Sequence, residues 1–528
     1  MLKQRIVILG GGTAGWMAAA ALSRFLPSQQ YSICLVESEQ IGTVGVGEAT
    51  IPHIRHFNQW VGIEEAEFMQ ATGATYKLAI RFQGWGTANS DYYHPFGVSG
   101  DMLNDLPFHQ VWWWLQQQHQ PTYPFDHYSF AVQLAQQKRF RFPSTDIADV
   151  ASSFNYAYQL DAGKYAMLLR QHATAQGVSR IEGKVQQVLQ QPNGDISELV
   201  LEQGMRLKGD FFIDCSGFSA LLIGQTLQTP FENWQQWLPC DRALAMPSAA
   251  DVDPAPYTLS KTMAAGWRWR IPLQHRTGNG LVYASAFLAD DAAEQHLVQE
   301  VNETGFAGAS IKALRFTTGR RQQSWRHNCV AIGLAAGFLE PLESTSLHLI
   351  QLALEKLLLY FPVHTAGQSI VSTSERDAFN DQMATEYQRV RDFLILHYKV
   401  NTRSEPFWQY CAHMSLPDSL QQRLALFQES GQLVAYRQGL FQPASWLAVL
   451  LGQGARPNET DFRLQAAASA PYSAWLQQYY QHLKMQAGQS PSHRQALDNS
   501  SRSSNAPPVH SLYGYREASA AGGRVCVR

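Results

Sequence analysis

The chain has 528 residues, of which 45% are hydrophobic and 12% aromatic, so it can fill a large core and is not a disordered protein. Its 41 basic and 43 acidic residues give a formal net charge of −2 at pH 7, which excludes a strongly basic surface for nucleic acid or for an anionic membrane. No apolar run approaches the ~18 residues that cross a bilayer. The six cysteines contain no C-x-x-C pair, which excludes the common zinc spacings and a dense disulfide framework. We therefore expect a soluble, reduced, cytoplasmic protein with no metal site, no nucleic-acid partner and no membrane partner.

The chain starts with the pattern of a β-α-β unit. Residues 5–9 (RIVIL) predict a short buried strand, residues 16–22 a helix, and residues 32–36 a second strand that ends at Glu37. Two basic residues before an apolar stretch are also typical of a signal peptide, but three consecutive glycines inside that stretch favour a phosphate-binding loop. The first residues therefore predict a nucleotide-binding unit.

Three glycines form the loop between the first strand and its helix. Gly10, Gly12 and Gly15 have the spacing G-x-G-x-x-G, in which they allow a tight turn, a close approach to a pyrophosphate and close packing of helix on strand. Glu37 lies 22 residues after Gly15, close to the ~20 residues at which an acid accepts a hydrogen bond from a ribose hydroxyl. The alternative is a plain glycine-rich turn, but strand, loop, helix, strand and acid in this order favour a dinucleotide site.

Later segments predict further strands of the same sheet. Helical spacing returns over residues 160–170, and residues 180–189 predict one alternating strand. Residues 211–217 and 329–333 each predict a buried strand that ends in a glycine-containing turn, and a helix is predicted to begin near Thr345. These strands predict one nucleotide-binding sheet interrupted by insertions. The late strand-glycine-helix unit favours FAD over NAD, because FAD enzymes of this layout complete the flavin site with distant sequence.

The pattern of elements divides the chain into three parts. Residues 1–373 are predicted to form an FAD-binding core with an inserted substrate-side sheet. Residues 374–485 have helical spacing, with helices predicted over 376–398, 420–427 and 445–451, and are predicted to form a C-terminal subdomain that covers the substrate pocket. Residues 486–528 are rich in Ser, Ala, Gly, Pro and Arg and are predicted to be a disordered tail.

Four stretches of the chain match a known family. They are GGGTAGWMAAAAL (10–22), VGVGEATIP (44–52), GWRWRIP (266–272) and GFLEPLESTSLHLI (337–350). On these stretches the sequence resembles the flavin-dependent halogenases of the tryptophan halogenase group. The GWxWxIP segment is the most specific of them, because flavin hydroxylases of the same fold do not carry it. The resemblance implies an α/β fold with a Rossmann-like FAD-binding core of the GR2-type flavin monooxygenases.

The resemblance also implies a reaction in two parts. FADH2, supplied by a separate flavin reductase, reacts with O2 to give a flavin hydroperoxide, and a halide ion attacks its distal oxygen to give hypohalous acid. The acid passes through a tunnel to a lysine beside a small aromatic substrate, whose ring is then halogenated. A homodimer is an open alternative to a monomer. The residues that the resemblance assigns to FAD are Gly10, Gly12, Thr13, Ala14, Gly15, Glu37, Ala49, Val185, Leu334 and Leu347.

The resemblance assigns the catalytic roles to Lys77 and Glu343. A desolvated Lys77 ammonium beside Glu343 can donate a hydrogen bond to hypohalous acid, or lose a proton and form a haloamine. Glu343 would hold this lysine and stabilise or deprotonate the cationic ring intermediate. Without the family, Lys77 would be a surface lysine and Glu343 an acid in the first turn of a helix. Glu340 is the competing acid, but the EPLES pattern assigns the role to Glu343.

A halide site and a tunnel follow from the same resemblance. The backbone N–H groups of Thr345 and Ser346 would bind the halide at a helix N-terminus. Many tryptophan halogenases have glycine at the position of Ser346, so its side chain is predicted to crowd the halide. Trp267 and Trp269 alternate along a predicted strand, either as tunnel residues or as two core aromatics on one face. The further residues predicted to line the substrate pocket are His94, Phe96 and Trp446, with Phe96 stacking on an aromatic ring.

The chain departs from the tryptophan-specific members in its helical region. Those members carry a tyrosine pair and an acid that hold the ammonium and carboxylate of the amino acid, whereas residues 431–451 (GQLVAYRQGLFQPASWLAVLL) contain neither a Tyr-Tyr pair nor an acid. This favours halogenation of free indole or an indole derivative by chloride or bromide. The alternatives are a tryptophan halogenase proper, a flavin monooxygenase that inserts oxygen directly, and a non-catalytic FAD-dependent binding protein.

Overall fold

The computed structural model describes residues 3–40, 47–302, 310–365, 368–466 and 468–500. Its strands are β1 (Gln4–Leu9), β2 (Tyr31–Glu37), β3 (Gly47–Ala49), β4 (Thr75–Lys77), β5 (Ala79–Gln83), β6 (Asp91–Pro95), β7 (Ala157–Asp161), β8 (Ser179–Glu182), β9 (Val185–Gln190), β10 (Ile196–Leu201), β11 (Arg206–Lys208), β12 (Phe211–Asp214), β13 (Phe231–Asn233), β14 (Arg242–Ser248), β15 (Tyr257–Met263), β16 (Gly266–Pro272), β17 (Thr277–Tyr283), β18 (Lys312–Arg315), β19 (Gly319–Arg321), β20 (Trp325–Arg326), β21 (Cys329–Ala331), β22 (Gly337–Phe338), β23 (Val363–Thr365) and β24 (Gln368–Ile370). Its α-helices are α1 (Thr13–Phe25), α2 (His53–Val61), α3 (Glu65–Thr72), α4 (Phe108–Gln117), α5 (Phe130–Gln136), α6 (Ala162–Ala175), α7 (Asp290–Asn302), α8 (Ser346–Leu359), α9 (Thr373–Lys399), α10 (Pro406–His413), α11 (Asp418–Ser430), α12 (Pro443–Gly452), α13 (Ser469–Gln489) and α14 (His493–Asp498).

A mostly parallel sheet forms the nucleotide-binding core. Its strand order is β20-β21-β12-β1-β2-β8, with β1 between two parallel neighbours. Leu9, at the end of β1, is in register with Val36 of β2 and with Asp214 of β12. The carboxyl ends of the three strands therefore meet at one edge, where ligands bind in open α/β sheets.

Burial on both faces explains why β1 forms the centre of this sheet. Ile6 to Leu9 are all buried, as expected for a parallel strand with helices on both sides. Helix α1 packs against it with a run of alanines, Ala18 to Ala21, that are completely buried. Small side chains there let the helix approach the sheet and α6 closely. The predicted strands at 5–9 and 32–36 and the helix at 16–22 are confirmed, each with slightly wider bounds.

Two further sheets position the rest of the site. A seven-stranded sheet has the order β18-β14-β17-β16-β15-β5-β6 and carries the GWRWRIP segment on β16. A small sheet, β3-β7-β4, has Lys77 as the last residue of β4, opposite Ala157 of β7. Because only Leu78 separates β4 from β5, Lys77 is held at the junction of the two sheets.

Helices from the last part of the described chain complete the core. The long helix α9 begins with Ser372, whose side chain accepts the backbone N–H of Glu375, and buries an apolar face from Phe379 to Tyr398. Its residues belong to the same hydrophobic cluster as β1, α1 and α12. The helices predicted within 376–398, 420–427 and 445–451 are confirmed as α9, α11 and α12. Among the residues described, no helix has the length and apolar character to cross a membrane.

Two predictions about the fold were wrong. Residues 180–189 form two strands, β8 and β9, in different sheets, because the chain breaks at Gly183, whose N–H donates to the backbone carbonyl of Glu37. The disordered tail does not begin at residue 486. Helix α13 continues to Gln489, and α14 begins with a capping box formed by Ser492 and Gln495.

A buried histidine explains the order beyond residue 486. The Nε2 of His493 accepts the backbone N–H of Tyr76 at 3.2 Å, and its Nδ1 lies 2.7 Å from the carbonyl oxygen of Pro254. One anchored side chain therefore holds a polar segment whose composition alone favours disorder. Residues 501–528 of the predicted tail, and residues 44–46 of the VGVGEATIP stretch, lie outside the described residues.

Candidate active site

The glycine loop has the geometry that a pyrophosphate requires. Gly10 has φ +114°, and a Cβ there would overlap the carbonyl oxygen of Cys215. A Cβ on Gly15 would overlap the carbonyl oxygen of Gly10, whereas no atom lies within 4 Å of a Cβ built on Gly12. The loop is therefore closed on the strand side and open at the N-terminus of α1, where Thr13 and Ala14 begin the helix. This open cradle beside helix N–H groups fits the pyrophosphate of a dinucleotide such as FAD.

Glu37 lies beside this loop, at the end of β2. A Cβ on Gly11 would overlap its carboxylate, so acid and loop are in direct contact. Its Oε2 accepts a hydrogen bond from Trp16 Nε1 at 3.2 Å, and its Oε1 forms ion pairs with Arg180 and, at 3.5 Å, Arg170. The carboxylate is thus fixed at the position predicted for the ribose contact.

The turn after β21 meets the same loop. Gly333 has φ +70°, and a Cβ there would lie 2.8 Å from the Cβ of Ala14. The next residue, Leu334, lines a cavity of about 400 Å³ together with Phe218, Phe338 and Arg321. The predicted cofactor residues Ala14, in the N-terminal loop, and Leu334, in the turn after β21, therefore belong to neighbouring segments of the fold.

The other predicted cofactor residues lie on neighbouring elements. Val185 is half-buried at the start of β9 and packs against the hydrophobic cluster that includes Val36 of β2. Ala49 is half-buried on β3, in the small sheet that also carries Lys77. Leu347 is buried in the first turn of α8.

Lys77 is completely buried, with its ammonium held by two acceptors. The Nζ donates to the carbonyl oxygen of Thr50 at 3.0 Å and to the hydroxyl oxygen of Ser344 at 2.8 Å. It also lies 5.1 Å from the centre of the Phe96 ring. Burial lowers the pKa of Lys77 to about 7, against the opposing effect of the Glu343 charge. Near neutral pH this amine can therefore both donate and lose a proton.

Glu343 is buried between two histidines. Its Oε2 lies 2.8 Å from His94 Nδ1 on β6, and its Oε1 lies 2.7 Å from His397 Nε2 on α9. Burial alone raises the pKa of this carboxyl, but His94 and His397 outweigh burial by charge and hydrogen bonding and lower the pKa to about 2. The group is an ionised carboxylate at neutral pH.

The expected direct pair between Lys77 and Glu343 is replaced by an indirect arrangement. Among the described residues, the ion pairs of Glu343 join it to the two histidines, and Lys77 is bonded to the next residue, Ser344. Ser344 has the left-handed φ of +59°, which turns the chain sharply between the two groups. Sequence reasoning missed His397, Ser344 and Thr50, because none of them lies near Lys77 in the chain.

The predicted halide residues lie at the start of α8. The helix begins at Ser346, with Thr345 as its N-cap residue, so both backbone N–H groups belong to a helix N-terminus. The hydroxyl oxygen of Thr345 is buried without a hydrogen-bond partner among the described residues. Ser346 is half-buried. The position suits a small anion.

Trp267 and Trp269 lie on one face of β16, with ring centres 6.0 Å apart. Both are buried, and Trp267 Nε1 donates to Glu340 Oε2 at 3.1 Å. A Cβ on Gly280, opposite in β17, would overlap the ring of Trp269, so this glycine gives the ring its space.

Aromatic rings surround the histidine side of Glu343. Phe393 of α9 stacks on Phe441 with ring centres 3.8 Å apart, and Trp446 of α12 meets Phe393 edge to face at 5.2 Å. His94 lies 5.6 Å from Phe393, and its Nε2 is buried without a hydrogen-bond partner in the described part of the chain. The predicted pocket residues His94, Phe96 and Trp446 therefore all lie around the Lys77–Glu343 region, Trp446 through Phe393.

Comparison with known proteins identifies the family. The family model for tryptophan halogenase matches residues 5–469. A tryptophan 6-halogenase from Streptomyces toxytricini is 37% identical over 487 residues, which cover 85% of this chain and 89% of that protein. A tryptophan 7-halogenase from Lentzea aerocolonigenes is 33% identical, over 80% of this chain and 81% of that protein.

Solved structures agree with this result. A flavin-dependent halogenase from Brevundimonas sp. BAL3 superposes with a TM-score of 0.88 at 41% identity, over 94% of this chain and 99% of that chain. A flavin-dependent halogenase from Xanthomonas campestris gives a TM-score of 0.88 at 42% identity, over 96% and 99%. The predicted FAD-binding Rossmann-like α/β fold is confirmed, and the chain is an enzyme that belongs to the flavin-dependent tryptophan halogenase family.

Proposed function

We propose that this enzyme halogenates an electron-rich aromatic ring, free indole or an indole derivative, with chloride or bromide as the halogen source. FADH2 comes from a separate flavin reductase, and O2 is the oxidant. The observation that carries the proposal is the buried Lys77 ammonium, bonded to Ser344 and one residue away from the ionised Glu343. A buried amine beside a buried carboxylate is the donor and acceptor pair that electrophilic substitution requires.

The cofactor residues named above would hold FAD, with the pyrophosphate at Gly10, Gly12 and Gly15 and the ribose at Glu37. Bound there, reduced flavin would supply the activation of O2, and O2 would be the oxidant that converts halide into hypohalous acid by two electrons. The backbone N–H groups of Thr345 and Ser346 would bind the halide at the N-terminus of α8. The buried Trp267 and Trp269 would exclude bulk water from the passage between the two sites.

Lys77 and Glu343 then act on opposite partners of the substitution. The Lys77 ammonium donates a hydrogen bond to the oxygen of hypohalous acid, which polarises the O–X bond and makes the halogen more electrophilic. The ring carbon takes the halogen, and water leaves when that oxygen receives a proton. Glu343 accepts the proton that the ring loses. His94 and His397 keep Glu343 ionised, so that it can accept this proton at neutral pH.

The absence of an acid from residues 431–451 favours an indole without an amino-acid group. Arg423 lies 4.6 Å from the ring centre of Trp446 and 4.3 Å from that of Tyr436, and Arg389 lies 4.4 Å from Tyr436. Arg389 is neutralised by an ion pair with Glu386 at 2.6 Å, and residues 431–451 provide no acid to bind an ammonium group. The named relatives favour free tryptophan as the second candidate, because they are tryptophan 6- and 7-halogenases.

A competition assay tests the proposal. The enzyme, a flavin reductase, NADH, FAD and bromide are incubated in air with equal amounts of indole and tryptophan, and the products are analysed by mass spectrometry. We expect the isotope doublet of a bromo product mainly from indole. A product with the mass of added oxygen would identify a monooxygenase, and bromotryptophan as the main product would identify a tryptophan halogenase. Without bromide or chloride the product should disappear, and Lys77→Ala should not form it.

A further inference from the structure

A second carboxylate, Glu340, is buried at the start of the turn that carries Glu343. It is completely buried, and its Oε2 accepts a hydrogen bond from Trp267 Nε1 at 3.1 Å and another from the hydroxyl of Tyr398. Its Oε1 is buried without a hydrogen-bond partner among the described residues. The reaction proposed above gives this group no role, although burying a carboxyl group is costly.

The two acids of the turn are attached to the same helix. Glu340 accepts a hydrogen bond from the hydroxyl of Tyr398 on α9. Glu343 contacts His397, the residue before Tyr398. On the other side, Glu340 is bonded to Trp267 of β16 and Glu343 to His94 of β6. Each end of residues 340–343 is therefore fixed between α9 and the seven-stranded sheet.

The two acids differ in charge. Burial raises the pKa of Glu340 to about 7, against the hydrogen bonds of Tyr398 and Trp267, whereas the pKa of Glu343 is about 2. Protonated Glu340, which at this pKa is present in substantial amount near neutral pH, does not repel the ionised Glu343 three residues away. It can therefore hold the turn without disturbing the charge of the second acid.

We propose that Glu340 is a positioning residue, which fixes the turn through Trp267 and Tyr398 so that the Glu343 carboxylate meets His94 and His397. This inference rests on the proposed function only for the chemical role of Glu343. The geometric part concerns how the turn is held, and it can be tested without turnover. Because Trp267 is one of the two hydrogen-bond donors to Glu340, the same carboxyl also fixes the Trp267 ring beside the passage.

Two substitutions separate the hydrogen bonds from the charge. Glu340→Gln keeps a carbonyl oxygen that accepts from Trp267 and Tyr398 and imitates the neutral acid. Glu340→Leu keeps the approximate size and removes the acceptor. We expect about 30-fold less halogenated product per FADH2 oxidised for Glu340→Leu and a loss below about 3-fold for Glu340→Gln, since two buried hydrogen bonds are lost only in the first. FADH2 oxidation by O2 should be unchanged in both.

Crystal structures of the wild type and both variants give the readout that does not depend on activity. In Glu340→Leu the Glu343 carboxylate should leave His94 or His397, and in Glu340→Gln both contacts should remain. If the wild type halogenates no ring, the proposed function fails, and these structures still decide the role of Glu340. An unchanged Glu343 in Glu340→Leu, or an equal displacement in Glu340→Gln, overturns the inference.

Controls exclude a general effect of folding. Glu355→Gln neutralises a half-buried glutamate on α8 outside the site and should change neither the product ratio nor the FAD affinity. Should Glu340→Leu fail to fold, Trp267→Phe and Tyr398→Phe each remove one bond to Glu340. Each must then displace Glu343 and lower the product per FADH2 oxidised, and wild-type values in both variants contradict the inference.

Discussion

The glycine loop and the turn at residues 340–346 carry the two halves of the site, and they are built differently. The loop is made by one short stretch, in which Gly10, Gly12 and Gly15 and the N-terminus of α1 are neighbours in sequence. The turn works through contacts with β4, β6, β16 and α9, which come from distant parts of the chain. A site made by local backbone geometry can be predicted from the sequence. A site made by side chains from distant elements can be predicted only in part.

The largest effect is expected when the ammonium group of Lys77, which is hydrogen-bonded to Ser344 of the turn, is removed. Lys77→Met should lower the rate of halogenation about 10³-fold, because the donor that polarises hypohalous acid is lost. FADH2 oxidation should continue. The measurement is halogenated product and flavin oxidation in the same sample. Lys208→Met, at an exposed lysine, is the control and should retain wild-type turnover. Product formation by Lys77→Met at more than a tenth of the wild-type rate would contradict the assignment.

A single added methyl group in the glycine loop should impair FAD binding. Gly10→Ala should lose FAD binding and unfold at lower temperature, because the residue has φ +114° and its Cβ would overlap Cys215; the cost is about 2 kcal/mol or more. Gly12→Ala should fold normally, since the space around its Cβ is open, but bind FAD about tenfold more weakly because the methyl group occupies the cradle. Thermal unfolding of the apoprotein and FAD titration separate the two effects. Equal FAD affinity in Gly12→Ala and the wild type would show that the pyrophosphate does not bind there.

The buried ammonium should also reduce stability in a pH-dependent way. Burial lowers the pKa of Lys77 to about 7 in the folded protein, so the unfolded chain binds more protons between about pH 7 and pH 10 and stability from this group rises with pH in that window. Lys77→Met removes the cost, which is about 5 kcal/mol below pH 7, at about 1.4 kcal/mol for each pH unit between the unfolded and folded pKa values. We expect its unfolding temperature to exceed that of the wild type at pH 6, with a smaller difference at pH 9. An equal difference at both values would mean that the ammonium is not desolvated.

The two histidines should set the acid limit of the reaction. His397→Phe keeps a buried ring and removes one of the two partners that hold the pKa of Glu343 at about 2. The pKa of Glu343 should rise, so that the acid limb of the product-against-pH profile moves to higher pH by about 1–2 pH units, because one interaction with the charged carboxylate is lost. His413→Phe, at an exposed histidine on α10, is the control. If the acid limb does not move, Glu343 is not the group that accepts the proton.

The smallest effect is expected at the halide residues. Ser346→Gly removes the side chain at the start of α8 and keeps the backbone donor. The ratio of brominated to chlorinated product from equal chloride and bromide should change by about threefold, since only the space around the anion is altered. Identical product ratios for the variant and the wild type would contradict a role of this side chain in halide preference.

The sequence predicted what depends on local patterns. We predicted the strand-loop-helix-strand unit, the late glycine turn and helices α9, α11 and α12. These depend on the spacing of apolar residues and on turn-forming residues within consecutive stretches of the chain. The break at Gly183 and the anchored His493 were not predicted, because both depend on contacts with distant backbone groups. The partners Thr50, Ser344 and His397 of Lys77 and Glu343 were missed for the same reason.

One carbonyl group links the cofactor side of the enzyme to its substrate side. The Thr50 oxygen that holds the Lys77 ammonium directly follows β3, whose last residue, Ala49, is assigned to FAD. The position of this carbonyl is one of the two constraints on the amine, the other being Ser344 Oγ. We therefore expect substitutions at residues 47–50 that change flavin affinity to change the position of the Lys77 amine as well, so the two properties should be measured together.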